Sequence, residues 1–175
     1  ALAAAEEEVA GASDFLSAVV AGYEVAARVG RALGGLQELL HDAGTFGAIG
    51  AAAATARLVA GADADAIERA IEASAAVALF PYRDTPVHGA SAHHLYIGLG
   101  AATGVTAGRA ACLGLAGLSG TLERFFGPRA GARFDPAGLL WGLAADGRIA
   151  DYELLNADFK LYPTCAHLNG VHDAL

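Results

Sequence analysis

Histidine, lysine and tyrosine are sparse in this sequence, and three small clusters of them have spacings that suit proton transfer and anion binding. The first is Leu40-His41-Asp42-Ala43-Gly44-Thr45-Phe46-Gly47, followed by a run of little but Gly and Ala. Histidine is the side chain most readily used as acid or base near neutral pH. Gly44 and Gly47 let the backbone turn and come close to a ligand or another helix. Thr45 is expected to cap the helix that follows, its hydroxyl accepting from the first free N–H groups. Those N–H groups and the positive end of the helix dipole suit an anion. The same features also fit a capped helix start with a surface histidine.

The second cluster is His93-His94-Leu95-Tyr96, where His93, with Tyr96, suits carboxylate binding or proton shuttling. The third is Lys160-Leu161-Tyr162-Pro163-Thr164-Cys165, carrying the single lysine of the chain, with His167 just beyond. Lys160 suits a second carboxylate, or is a surface lysine. Together the groups fit a di- or trianionic acid. Cations neutralise the carboxylates, one acid/base group moves a proton, and fixed donors hold the charge that develops on an enolate-like intermediate.

A metal reading of His88, His93 and His94 fails on geometry. Adjacent residues on a helix point about 100° apart, and no i,i+3 or i,i+4 pair of ligands is completed. No Walker A pattern, dinucleotide-binding glycine fingerprint, His-Glu-x-x-His or Gly-x-Ser-x-Gly occurs.

These residues must be positioned by helices. Phe15, Val19, Gly22, Ala26, Val29 and Leu33 recur every three or four residues, which predicts an amphipathic helix, capped by Ser13 or Asp14 and stopped at Gly34-Gly35. Within it, Glu24 and Arg28 read as an i,i+4 ion pair on the surface and Tyr23 as a packed ring. The Ala/Gly helix after Thr45 is expected to run to about Val59, and Asp65 with Glu68 to open the next as a capping box, so residues 47 to 80 form a helical hairpin. Residues 81 to 92, with Pro81, Pro86 and Gly89, read as a loop that carries Arg83, Asp84 and His88. From Leu95 to about Leu115 a helix of small residues contains Gly98, Gly100, Gly104 and Gly108, and Cys112 in its core. A short helix over Thr121 to Phe126 stops at Gly127-Pro128, and Asp135-Pro136 opens another. Residues 148 to 159 read as loop or short strand, and Thr164 as the cap of a last helix. The expectation is an all-α bundle of six or seven Ala/Gly-rich helices.

The chain of 175 residues is 55% hydrophobic and 17% charged, with a mean hydropathy of +0.42. That composition excludes disorder, and every long apolar run carries polar or charged interruptions, so no membrane span is expected. A net charge of −8 and a pI of about 5.1 argue against nucleic acid and an anionic membrane surface as partners. The two cysteines, Cys112 and Cys165, lie far apart and read as reduced thiols of a cytoplasmic protein.

Four stretches, in order, resemble the MmgE/PrpD family, which includes 2-methylcitrate dehydratase, cis-aconitate decarboxylase and iminodisuccinate epimerase. Val19 to Arg28 resembles its Gly-Tyr-Glu helix, and His41 to Gly47 its His-Pro-Thr-Gly-Thr-Phe-Gly segment. Leu95 to Val105 resembles its Leu-His-x-Gly helix start, and Lys160 to Cys165 its Lys-x-Tyr-Pro segment. Asp42 stands where the family has proline and Ala43 where it has threonine. His93 takes the place of a lysine and Tyr96 that of the motif's histidine. The resemblance implies a helical domain over residues 1–159, incomplete at its N-terminus, with residues 160–175 beginning the crossover to an α+β lid domain absent from this chain. It implies a lyase, a dehydratase or decarboxylase, acting on a small polycarboxylate without metal or organic cofactor, and a homodimer. Alternatives are an isomerase or epimerase of the same fold, and a non-catalytic helical subunit for assembly or regulation, its lid or N-terminal segment supplied by the same or another chain. In the lyase reading His41 is acid/base and Lys160 and His93 are carboxylate partners. Gly44, Thr45, Tyr96, His94, Cys165 and His167 complete the substrate-binding set.

Overall fold

A computed structural model describes residues 1–165 and 168–175. Small side chains set the architecture, because they let helix axes approach closely. The long helices are α2 (Ala12–Ala32), α3 (Phe46–Ala60), α4 (Ala64–Ala76) and α6 (Ala92–Cys112), with a short helix α1 (Leu2–Glu7) before them and another, α5 (Asp84–Val87), between α4 and α6. No strand is present among the described residues; backbone pairing outside the helices is confined to isolated bridges. The all-α expectation of a helical bundle therefore holds, with four long helices carrying most of the packing and the other helices only one or two turns long.

Helix α3 is the centre. It packs on α2, α4 and α6, and Ala48, Ile49, Gly50 and Ala52 to Ala56 are all buried. A helix with neighbours on three sides must be apolar over most of its surface, which the sequence FGAIGAAAATARLVA supplies. The α2–α3 crossing is backbone on backbone: a Cβ built on Gly22 would lie 2.6 Å from the Gly50 carbonyl oxygen, and one on Gly50 would lie 2.6 Å from that of Gly22. On the opposite side Gly100, Gly104 and Gly108 of α6 lie over Gly44, Ala48 and Ala52, so one residue every four closes that seam. At one end of the bundle Val29, Leu33, Ile49 and Ala75 meet Leu122, Phe126 and Ala130 in a larger core.

Several local readings change. Gly11, not Ser13 or Asp14, is the N-cap of α2, and Asp14 lies in its acidic first turn, where it complements the dipole. Helix α4 is capped by Asp63, whose carboxylate accepts from Asp65 and Ala66 N–H at 3.0 and 3.1 Å, so Asp65 and Glu68 make no capping box. The loop 81–92 contains the single turn α5. Gly127-Pro128 does not stop a helix: the π-helical turn Leu122–Phe126 runs straight into α7 (Gly127–Ala130), with proline at a position where its missing N–H costs nothing. The turns Pro136–Leu140 and Glu153–Asn156 are 3-10 helical. Thr164 does not cap the last helix, α8 (Asn169–Asp173), whose N-cap is Leu168; its Oγ1 instead lies 3.0 Å from His172 Nε2.

Glu24 and Arg28 do pair, but not at the surface: they are 3% and 7% exposed, whereas the Tyr23 ring is half out in solvent. The Glu24 carboxylate also accepts from the backbone N–H of Glu153 (3.2 Å) and Leu154 (2.9 Å). Arg28 Nε donates to the Trp141 carbonyl at 3.1 Å. Arg31 pairs with Glu153 and stacks over the Trp141 ring at 3.9 Å. A buried charge is tolerable when its hydrogen-bonding capacity is filled, and residues 141–154 fill it. Glu72 of α4 acts similarly, accepting from Gly120 and Leu122 N–H at 2.8 and 2.9 Å and so fixing the entry to the π-helical turn.

Among the described residues no helix is long and apolar enough to cross a membrane.

Candidate active site

His41 sits where two loops touch. Its N–H donates to the Pro81 carbonyl at 2.9 Å, and Arg83 N–H donates to the Leu39 carbonyl at 2.8 Å. Leu40 and Tyr82 form an isolated antiparallel bridge between them. Leu39 takes a positive φ of 67° to enter this pairing. The result is an open cavity of about 490 Å³ lined by Leu36, Leu40, His41, Asp42, Arg83 and Cys165.

The turn holds the imidazole at one nitrogen. Ala43 N–H lies 3.1 Å from His41 Nδ1 and donates to Asp42 Oδ1 at 2.7 Å, while that Oδ1 is 3.1 Å from the same Nδ1. Nδ1 therefore has two partners of opposite character. When it accepts from Ala43, the neutral ring carries its proton on Nε2. When it donates to Asp42, Nε2 is left with a lone pair or, in the imidazolium, a second proton. Nε2 is thus the nitrogen on which a proton can change hands.

Thr45 is fully buried and points the other way from the expected cap. Its hydroxyl donates to the His41 carbonyl at 2.6 Å, and no helix N–H is received by its side chain. Its local effect is to hold the His41 backbone. Gly44 has a φ of 83°, and a Cβ there would lie 2.8 Å from the Tyr96 carbonyl oxygen. Glycine at 44 therefore serves the approach of α6 to the turn.

That approach brings Tyr96 to His41, with ring centroids 5.5 Å apart. The Tyr96 hydroxyl is shielded from solvent and has no hydrogen-bond partner among the described residues. Desolvation, with a smaller effect from the Asp42 charge, pushes its phenol above the usual tyrosine range, so it stays a neutral donor. His93 and His94 lie in the first turn of α6, their rings 3.8 Å apart, with His93 Nδ1 2.9 Å from the Ala90 carbonyl oxygen. Lys160 is exposed on the segment after Phe159. No hydrogen bond or ion pair joins His93, His94 or Lys160 to His41 among the described residues. Cys165 does line the cavity, and His167 lies outside the described residues.

Sequence reasoning named Arg83 only as loop content. Its place beside His41 depends on the pairing of residues 39–41 with 81–83, which no alternation of apolar and polar residues announces. Among the described residues no group of three or more His, Cys, Asp or Glu side chains gathers as a metal site. A second cavity, about 400 Å³ between α4 and α6, is lined by Ala73, Val77, Leu99, Ala102, Thr103, Thr106, Ala107, Ala110 and Leu115, with no titratable group for acid/base chemistry.

No curated protein and no solved structure matches the chain. The family model of the MmgE/PrpD N-terminal domain matches residues 1–132, which takes in α1 to α6, the His41 turn and Tyr96, and ends before Lys160. Three of the four resembling stretches lie inside that match, and the chain belongs to the MmgE/PrpD family.

Proposed function

We propose that the His41 cavity performs acid/base chemistry on a small di- or tricarboxylic acid, as a lyase of the dehydratase or decarboxylase kind. The observation that carries this reading is the His41 imidazole, held at Nδ1 by the Ala43–Asp42 turn, in a cavity that it lines together with Arg83. In a dehydration, His41 removes the proton beside a carboxylate, and the electron pair passes to an enolate-like carboxylate. It then forms the carbon–carbon double bond as the hydroxyl group takes the proton back from the His41 imidazolium and leaves as water. In a decarboxylation the carbon–carboxylate bond breaks, carbon dioxide leaves, and the carbon takes a proton. Tyr96, whose ring lies against His41, supports the imidazole from behind rather than lining the cavity. Lys160 and His93 are assigned to substrate carboxylates, with Cys165 and His167 in the substrate-binding set, and the enzyme works as a homodimer. These last assignments rest on the family resemblance.

The test is turnover of 2-methylcitrate-like, citrate-like and cis-aconitate-like acids by the complete polypeptide. It is followed by ultraviolet absorbance of the unsaturated acid and by carbon dioxide release. His41→Gln should lower kcat by about 100-fold or more; unchanged turnover would remove His41 from the reaction. An epimerase is the second reading, favoured by His93 standing where the family's motif carries a lysine. Exchange of substrate hydrogen with deuterated water, without loss of water or carbon dioxide, distinguishes it.

A further inference from the structure

We propose that Arg83 is the carboxylate anchor of the His41 cavity and gives it a preference for acids with two or more carboxylates. This rests on the reading of that cavity as an acid-binding site, and adds a residue that neither the family motifs nor the sequence pattern singles out.

Three observations support it. First, the position is fixed by backbone. Arg83 N–H donates to Leu39 and His41 N–H donates to Pro81, so the two residues are held on paired segments whatever their side chains do. Second, Arg83 lines the same cavity as His41. Third, its guanidinium is uncommitted among the described residues, where most other arginines are engaged. Arg28 and Arg31 are bound to Glu24 and Glu153, Arg109 to Glu7 and Glu8, and Arg148 to Asp146. Arg129 lies over the Phe125 ring.

The chemistry follows from the side chain. A guanidinium presents parallel N–H donors that match the two oxygens of a carboxylate, and it remains charged at any pH of interest. The cavity, about 490 Å³, is in the range that holds small ligands. Asp42 opposes anion binding from the same wall, but its Oδ1 is turned to His41 Nδ1 and Ala43 N–H. A single carboxylate at Arg83 gains little over water. An acid with a second carboxylate also reaches the Nε2 side of His41, which orients the carbon between the two carboxylates toward the proton-transferring nitrogen. Arg83 thereby binds and aligns, while His41 reacts.

The experiment is calorimetric binding of citrate and of acetate to the complete polypeptide, in native form and as Arg83→Gln, Arg83→Lys and His41→Gln. Arg83→Gln should weaken citrate at least tenfold and leave acetate unchanged. Arg83→Lys, which keeps the charge and loses the fork, should fall between. The Leu39 pairing uses the Arg83 backbone, so the thermal midpoint of either variant should match the native one. Citrate binding within twofold of native in Arg83→Gln overturns the proposal, as does a native chain that binds citrate no better than acetate. The two readings fail separately. Arg83-dependent citrate binding without turnover of any acid sinks the lyase and leaves the anchor. Turnover that survives Arg83→Gln with unchanged KM sinks the anchor and leaves the lyase.

Discussion

Tyr96 shows what one side chain gains from close packing. Gly44 lets α6 descend onto the turn, the ring meets His41, and the hydroxyl is left dry with nothing to bond. Burial raises its pKa, so the sign of the pH effect is fixed. The folded chain keeps this proton when the unfolded chain, near the ordinary value of about 10, begins to lose it. The stabilisation is therefore complete below about pH 10 and is lost as pH rises through the higher folded value. Tyr82 and Tyr162 are also raised, by hydrogen bonds to Asp84 and Asp173, so the measurement must be a difference. Absorbance titration at about 295 nm, native minus Tyr96→Phe, should show one phenol ionising above the ordinary range. A difference transition at or below the ordinary value would mean that the hydroxyl is solvated.

At the scale of elements, the seams of α3 predict which glycines matter. Gly22→Ala places a methyl against the Gly50 carbonyl, and both partners are backbone, so the helices must separate. The expected loss is about 1–3 kcal/mol, the usual cost of overpacking, read from urea unfolding. Gly47, in the first turn of α3, has nothing within 4 Å of a built Cβ. Gly47→Ala should be neutral or gain up to about 1 kcal/mol, from helix propensity alone. Equal effects at the two sites would mean that the α2–α3 crossing is looser than described. These elements were readable because their signals are local. The Ala/Gly runs of α3 and α6, Gly34-Gly35 after α2 and Gly61 after α3 all announce themselves within a few residues. What stayed hidden was non-local. Thr45 was a plausible cap until the His41 carbonyl proved to be its acceptor. Arg83 became a site residue only through the pairing of two loops forty residues apart, and the i,i+4 spacing of Glu24 and Arg28 gives no hint of burial.

For the molecule as a whole, the Glu24 cluster joins α2 to the residues around Trp141 and Glu153. Glu24→Gln removes the charge that balances Arg28 and turns amide hydrogens toward N–H donors that need an acceptor. Leaving a buried charge unpaired costs about 3–5 kcal/mol, so the urea midpoint should drop sharply. Arg148→Gln, which breaks an ion pair at the surface, should leave it unchanged. Similar small effects from both would show that water reaches Glu24. The same cluster also orders events in time. The hydrogen bond from Glu153 to Glu24 closes a separation of 129 residues, and a contact so distant forms only after a large loop has been ordered. As the chain emerges from a ribosome, α2 must wait with a charged patch still open to water until residues 141–154 have been made. Residues 141–154 then act as a latch, arriving late to close over the charges that α2 alone leaves open to water.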